Sequence, residues 1–121
     1  MAATMEMTLL EHLAESQEAG DSERLASYYA PDAVVTLIDR RNPPSNPMVM
    51  HGHDEIAAYL DDLCGRDVSH TVGDLTSGDH RIAYTVRCLY PDDTRVFCAA
   101  TAQTDDAGHI RNETIVQAWD E

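Results

Sequence analysis

Three side chains in this 121-residue sequence have the chemistry expected of a proton-transfer site: Asp39, His70 and Glu113. A carboxylate among apolar neighbours has a raised pKa and can act as a general base, and a histidine titrates close to neutral pH. Asp39 lies two residues beyond Leu37 in an apolar run, so strand alternation directs both side chains to one face. With Leu37 and Tyr59 as neighbours, Asp39 could be such a base. The alternative is an exposed acid that ends a strand and pairs with an arginine of the next loop.

The histidines include one candidate for proton transfer and one pair that resembles a metal motif. His70 alternates with Val68 and Val72, which favours an inward side chain near a carboxylate; a hydrogen-bonded structural histidine is the alternative. His51 and His53 flank a glycine, and no third ligand stands at a fixed spacing from them, so we expect no metal site. The sequence contains no phosphate-binding loop and no dinucleotide fingerprint, so we expect no cofactor.

The best-marked element that must position these groups is a helix from Met50 to Leu63. Apolar residues recur at helical spacing along it, and its acids lie on the opposite side. The apolar residues are Ile56, Tyr59, Leu60 and Leu63. Gly52 as the N-cap, Glu55 three residues later and a left-handed Gly65 predict where the helix begins and ends.

The N-terminal half contains two more helices and two strands by the same criteria. A helix at about residues 4–19 is followed by a short one, capped by Asp21 or Ser22, that ends before Pro31. A β-branched strand at 33–38, a proline-rich loop and a short strand at 48–50 then lead into the helix at 50–63.

Beyond residue 65 the hydrophobic period changes from 3.6 to 2. Turn sequences separate four strands, at about 68–76, 81–90, 94–104 and 109–119. This order predicts one α+β domain over residues 1–121: a strongly curved antiparallel sheet whose concave face is covered by three helices of the N-terminal half, in a cone-shaped α+β barrel. Such a sheet encloses a hollow that is the natural ligand site of this architecture.

The charge of the chain limits its partners. Twenty-two acids oppose eight bases, all arginine, which gives a formal net charge of −14. Such a surface repels phosphate backbones and anionic lipids, so we expect neither nucleic acid nor a membrane as a partner. The first residues lack the basic and apolar regions of a signal peptide, which favours a cytoplasmic location. The three cysteines are widely spaced and are expected to be buried apolar residues rather than disulfides.

Three segments of the chain resemble the nuclear transport factor 2 fold, and within it the SnoaL-like and ketosteroid-isomerase-like branch. The segments are Tyr29–Val35, Met50–Tyr59 and Asp105–Trp119. The resemblance implies the cone-shaped fold, a ligand site in its hollow and a homodimer formed through the outer face of the sheet. It does not name a reaction, because the superfamily includes isomerases, cyclases, epoxide hydrolases, dehydratases and binding modules.

The catalytic residues of ketosteroid isomerases are not carried over by this resemblance. The oxyanion-hole tyrosine falls on Leu13, the base aspartate on Leu37 and the second oxyanion-hole acid on Ala100. None of these side chains transfers a proton, so the resemblance excludes steroid isomerisation by that mechanism. Only a supporting tyrosine has a counterpart, at Tyr29.

The last predicted strand has two faces that differ in character. Glu113 shares one face with Arg111, Ile115, Gln117 and Trp119. The isomerase resemblance directs this face into the hollow, where Glu113 and Gln117 would be polar groups in an apolar site. The reverse orientation, with Glu113 solvated, stays open because one β-bulge exchanges the faces.

Taken together, these patterns predict an enzyme that acts without a cofactor on a hydrophobic, polycyclic or polyketide-like small molecule. Acid/base chemistry by Asp39, His70 and Glu113 would support a cyclisation, isomerisation or dehydration. The predicted walls of the substrate site are Leu13, Tyr28, Tyr29, Leu37, Tyr59, Ala100, Gln117 and Trp119. The alternative is a ligand-binding or dimerisation module without turnover, which the missing isomerase residues favour.

Overall fold

Helices occupy the N-terminal half of the chain and the long strands follow them. The structure, a computed structural model, describes residues 2–120, with side chains from Met5 onward. In this range the elements are α1 (Ala2–Ala19), α2 (Ser22–Ala26), β1 (Tyr29–Ile38), β2 (Met48–His51), α3 (Gly52–Cys64), β3 (Ser69–Gly78), β4 (Arg81–Leu89), β5 (Arg95–Thr104) and β6 (Ile110–Trp119). No helix among these residues is both long and apolar enough to cross a membrane.

The strands of the described range form one curved sheet that does not close. Their order is β2-β1-β6-β5-β4-β3. All pairs are antiparallel except β1 and β6, which are parallel. The predicted fold class is confirmed, and the predicted strands beyond α3 agree with β3 to β6 within two residues at each end.

The helix α3 covers the sheet as predicted, but its two ends differ from the prediction. His51, rather than Gly52, is the N-cap, and its backbone N–H donates to the Glu55 carboxylate at 2.8 Å. Gly52 has a φ of +84°, which favours glycine at the first helical position. Gly65 has a φ of −78°, so the left-handed stop expected there is wrong. The terminal N–H groups of Gly65 and the next residue instead bond back into the last turn.

The strand β1 begins four residues earlier than predicted, and this moves one functional side chain. Tyr29 pairs with Ile110 and Val34 pairs with Asn112, so a bulge in β1 separates the two pairs. Pro31 lies in the bulge, where its lack of an N–H costs no ladder hydrogen bond. The prediction that a helix continues to residue 30 is therefore wrong, and Tyr29 is a strand residue with its side chain buried.

Alternation along β4, β5 and β6 separates a buried concave face from an exposed convex face. A second bulge, at the start of β6 opposite Gln103 and Thr104, exchanges the faces there, because Arg111 is an extra residue between Ile110 and Asn112. Ile110 is consequently buried and Arg111 is exposed, with its guanidinium 3.4 Å from the Gln103 side chain. The expectation that Arg111 shares the face of Glu113 is wrong.

The convex face of the sheet is apolar in several places. Leu89, Phe97 and Val116 are each more than 40% exposed. This is the face through which the homodimer is expected, and the pairing stays a prediction.

Candidate functional site

A narrow cavity lies between the helices and the concave face of the sheet. Its volume is about 40 Å³, enough for roughly three water molecules. It is lined by Gln17, Tyr29, Tyr59, Leu60, Leu63, His70, Tyr84, Val86, Cys88, Cys98, Ala100, Ile115 and Gln117. The hollow expected for a polycyclic ligand is therefore largely filled by side chains.

A wider recess, which we call the vestibule, adjoins the cavity. It has a volume of about 320 Å³ and shares Tyr59, Leu63 and Gln117 with the cavity lining. Its other lining residues are Leu37, Asp39, Arg40, Arg41, Arg66 and Trp119. A ligand that enters the cavity from this side must pass the three shared side chains.

A buried carboxylate lies behind the cavity wall and is bonded to two phenols, Tyr29 and Tyr84, whose residues line the cavity. Glu113 is only 2% exposed. The Tyr29 hydroxyl donates to Oε1 at 2.5 Å and the Tyr84 hydroxyl donates to Oε2 at 2.6 Å. These distances are typical of O–H groups that donate to an ionised acceptor. We refer to these three residues as the Tyr–Glu–Tyr cluster.

Burial perturbs the pKa of every member of the Tyr–Glu–Tyr cluster. It raises the pKa of Glu113, while the hydrogen bonds from Tyr29 and Tyr84 act in the opposite direction. Burial, followed by the negative charge of Glu113, holds the pKa of both phenols above the ordinary value of 10.0. Tyr59 on the same wall also has a raised pKa, chiefly through burial. Proton affinities shifted by burial in this way are typical of sites that transfer protons.

The sheet brings the Tyr–Glu–Tyr cluster together from three strands. Glu113 lies opposite Val35 of β1 and Ala102 of β5. Tyr84 on β4 lies opposite Ala100 of β5. The Tyr84 ring has to reach across β5 to meet Glu113, and neighbouring strands are about 4.8 Å apart. The small side chains of Ala100 and Ala102 leave the space that this ring crosses.

A second group of titratable side chains also lines the cavity. The Nδ1 atom of His70 is 3.6 Å from the Cys88 sulfur and 3.2 Å from the Gln17 amide nitrogen. Cys98 also lines this region, and both of these cysteines are buried free thiols. The hydrogen bond from the Cys98 thiol, and after it the contact with His70, lower the pKa of Cys88. The same contact with Cys88 raises the pKa of Cys98.

We expect iodoacetamide to alkylate Cys88 at a rate that is nearly constant from pH 7 to pH 9, because a thiol with a lowered pKa is already ionised there. The rate at Cys98 and Cys64 should rise with pH, because both have a raised pKa. Trypsin cleaves after arginine and leaves the three cysteines in three different peptides, so mass spectrometry reports each rate separately.

Two controls accompany the alkylation experiment. A Cys98→Ala variant should restore a pH-dependent rate at Cys88, because it removes the thiol hydrogen bond that is the main cause of the lowered pKa. Alkylation of the unfolded protein in 6 M guanidinium gives the rate at each cysteine when all three are equally accessible. Parallel pH profiles at all three cysteines of the folded protein would contradict the expectation.

Asp39 does not have the raised pKa that the sequence predicts. Its Oδ1 atom accepts hydrogen bonds from the backbone N–H groups of Arg41 and Asn42 at 2.9 and 2.8 Å, and from the Asn42 amide at 2.9 Å. Partial burial acts to raise the pKa of Asp39, but these bonds together hold it below its ordinary value of 3.8. A base with a raised pKa at this position is therefore a wrong expectation, and Asp39 instead organises the loop that follows β1.

The remaining predicted site residues divide among three locations. Tyr29, Tyr59, Ala100 and Gln117 line the cavity together with His70. Leu37 and Trp119 line the vestibule. Leu13 and Tyr28 line neither: Leu13 is wholly buried in the core, and the Tyr28 hydroxyl lies 3.0 Å from the Ser16 hydroxyl on α1. Both are therefore wrong as predicted walls of the site.

Several residues of the site are not predicted by the sequence, and Tyr84 is the most informative of them. Tyr84 alternates with Ile82 and Val86 in a predicted strand, so the inward direction of its side chain follows from the sequence. The contact of Tyr84 with Glu113 does not follow from the sequence, because this contact depends on the register of two strand pairs. Cys88 and Arg66 are likewise not predicted as site residues. Across residues 2–120, no three side chains of histidine, cysteine, aspartate or glutamate come together so as to bind a metal ion.

Comparison with known proteins adds a family and a fold. The family model of the SnoaL-like domain matches residues 10–117. No curated protein matches the sequence.

Solved structures with the same fold span nearly the whole chain. A nuclear transport factor 2-like protein of unknown function from Mesorhizobium loti is 12% identical, with a TM-score of 0.82 and coverage of 98% of this chain and 94% of that one. A protein provisionally described as a ketosteroid isomerase, from Kribbella flavida, is 18% identical, with a TM-score of 0.80 and coverage of 98% and 80%. The epoxide hydrolase/cyclase-like enzyme SalBIII, described in pyran ring formation in salinomycin, is 15% identical, with a TM-score of 0.74 and coverage of 95% and 92%.

Proposed function

The chain belongs to the SnoaL-like domain family, and on that premise we propose that it is a cofactor-independent enzyme that acts by acid/base chemistry on a hydrophobic, polyketide-like or polycyclic small molecule. The reaction would be a cyclisation, an isomerisation or a dehydration. One observation carries the proposal: a fully buried carboxylate holds two phenols on the wall of a cavity that also contains a histidine.

His70 is the proposed general base. In a substrate rich in carbonyl groups, enolisation, aldol cyclisation and β-elimination all begin with loss of a proton from the carbon beside a carbonyl. The His70 imidazole lines the cavity, and histidine is the side chain that most often removes such a proton in enzymes. Gln17, 3.2 Å from the Nδ1 atom of His70, would orient the ring.

The Tyr–Glu–Tyr cluster is the proposed acid. While Glu113 is ionised, both phenols donate to it. When Glu113 is protonated, it can donate its own proton to one phenol, and the hydroxyl hydrogen of that phenol becomes free to point into the cavity. There it would donate to the carbonyl oxygen, where negative charge develops as the base removes the proton. Burial favours the protonated form of Glu113 and so supports this role.

The volumes of the two compartments limit how such a substrate would lie. The cavity of about 40 Å³ accommodates only the reacting carbonyl and its neighbouring atoms. The vestibule of about 320 Å³ falls within the range of ordinary ligand sites, roughly 300–1,000 Å³. The body of the substrate would therefore occupy the vestibule. The fold of SalBIII, an epoxide hydrolase/cyclase-like enzyme, indicates that ring-forming chemistry is compatible with this architecture.

Deuterium exchange tests the proposal without knowledge of the natural substrate. In D₂O, we expect the protein to accelerate exchange of the protons beside the carbonyl of small cyclic ketones and β-keto esters. NMR measures the rate of this exchange. His70→Gln and the double variant Tyr29→Phe, Tyr84→Phe should each slow the catalysed exchange by about 10²–10⁴-fold, the usual contribution of a positioned acid or base. Tyr28→Phe is the matched control, because that phenol lies outside the cavity.

A binding module without turnover is the second candidate. The positions at which ketosteroid isomerases carry their acids and base are occupied here by Leu13, Leu37 and Ala100, all of them buried. The same ketones would then bind, but their exchange would proceed at the rate of the buffer. That result would exclude the enzyme and leave the binding module.

A further inference from the structure

The vestibule is positively charged in a protein that is otherwise strongly acidic. Three of the eight arginines of the chain line it: Arg40, Arg41 and Arg66. Asp39 is the only acid among the described residues that line it, and Asp62, outside the lining, pairs with Arg66 at 2.6 Å. Cations therefore outnumber acids at this recess, whereas the whole chain has a net charge of −14. A local excess of positive charge at a recess concentrates anions there.

The charged rim of the vestibule is held by a continuous series of stacked and bonded side chains. The Arg40 guanidinium lies over the Trp119 ring, 4.4 Å from its centroid. Trp119 stacks on Tyr90 with ring centroids 5.7 Å apart, and the Tyr90 hydroxyl accepts a hydrogen bond from Arg66 at 3.2 Å. Two arginines are thus fixed at the ends of one aromatic stack, and their geometry needs little reorganisation to receive a ligand.

The guanidinium of Arg40 keeps its hydrogen-bond donors for a ligand. No ion pair among the described residues includes Arg40. Stacking uses only the face of the guanidinium and leaves the N–H groups at its edge. Asp39, the adjacent acid, directs its Oδ1 atom to the backbone of Arg41 and Asn42 instead.

The inner side of the vestibule is apolar and leads to the proton-transfer groups. Leu37 and Leu63 line it, and Tyr59 stands where it meets the cavity. A ligand that fits both parts has an anionic group at one end and an apolar body at the other. The planar fork of a guanidinium matches the two oxygens of a carboxylate.

We propose that the vestibule binds the carboxylate of the substrate through Arg40 and Arg66, so that the substrate is a hydrophobic carboxylic acid whose apolar part extends towards the cavity. This inference rests on the proposed function for the same cavity and narrows its substrate class. Arg41 contributes positive charge at the same recess.

Calorimetric titration with cyclohexanebutanoate and with its neutral primary amide tests the inference. At low ionic strength the carboxylate should bind at least about tenfold more tightly than the amide, a difference that salt reduces by screening. Arg40→Gln and Arg66→Gln should each weaken carboxylate binding by about five- to tenfold and leave amide binding unchanged. Trp119, the single tryptophan of the chain, reports occupation of the vestibule through its fluorescence.

Arg81→Gln is the matched control, because Arg81 is exposed at the start of β4 and lines neither the cavity nor the vestibule. Equal binding of carboxylate and amide, equal loss of binding in the control variant, or binding of neither ligand would each overturn the inference. The exchange assay uses neutral ketones, so it decides on the acid/base function independently of these outcomes. Thermal unfolding of the exposed Arg40 and Arg66 variants verifies that they remain folded.

Discussion

Replacing Glu113 with leucine should lower the free energy of unfolding by about 2–4 kcal/mol. The substitution leaves the hydroxyls of Tyr29 and Tyr84 buried without an acceptor. Each such donor costs about 1–3 kcal/mol, and removal of a buried charge offsets part of the loss. Urea unfolding followed by far-UV circular dichroism measures the difference.

Two further variants identify the cause of this loss of stability. Glu113→Gln should cost less than about 1.5 kcal/mol, because its amide can accept from one phenol and donate to the other. The triple variant Glu113→Leu, Tyr29→Phe, Tyr84→Phe should recover most of the stability lost in the leucine variant, because no polar group is then left unsatisfied. If the triple variant is less stable than the single leucine variant, the phenols are not the source of the loss.

The stability that Glu113 contributes should fall as the pH rises. Burial raises the pKa of Glu113 above the ordinary value of 4.5, so the folded protein retains a proton that the unfolded chain has released. The contribution is complete below pH 4.5 and declines as the pH rises through the raised pKa. Inside this window the slope is up to about 1.4 kcal/mol per pH unit for a single group.

The measurement compares the unfolding free energy of the wild type with that of Glu113→Gln from pH 4 to pH 9. Subtraction cancels the titration of the other acids, and the same substitution at exposed Glu23 reports the effect of removing one surface charge. The unfolding free energy of the wild type, relative to that of Glu113→Gln, should decrease as the pH rises. A difference that grows in favour of the wild type would show that the two phenol hydrogen bonds outweigh burial and hold the pKa of Glu113 down.

The balance between burial of Glu113 and its two phenol hydrogen bonds also determines whether the proposed acid can act. A Glu113 that stays ionised keeps both phenol hydrogens directed at itself, and no hydroxyl hydrogen is free for the cavity. Burial is the effect that opposes this state. The stability profile and the exchange assay therefore examine one property, the protonation of Glu113, by independent routes.

Local patterns in the sequence determined the elements and the fold class of this protein. The apolar spacing of α3 and the alternation of β3 to β6 require only neighbouring residues, and turn sequences mark where the strands end. The inward direction of His70 follows from the same alternation. The resemblance to SnoaL-like proteins was also readable from the sequence, and the family model matches residues 10–117.

Tertiary structure alone decided which of these side chains meet. Tyr29 bonds to Glu113 across 84 residues of chain and Tyr84 across 29, and both contacts depend on strand register. The bulge in β1 and the bulge at the start of β6 set that register, and the hydrophobic periodicity does not locate either of them. The pKa of Asp39 and the grouping of Arg40 with Arg66 depend in the same way on loops folded against each other. Periodicity reports which way a side chain points, but a site requires distances between remote segments, and those arise only when the sheet curves and its strands pair.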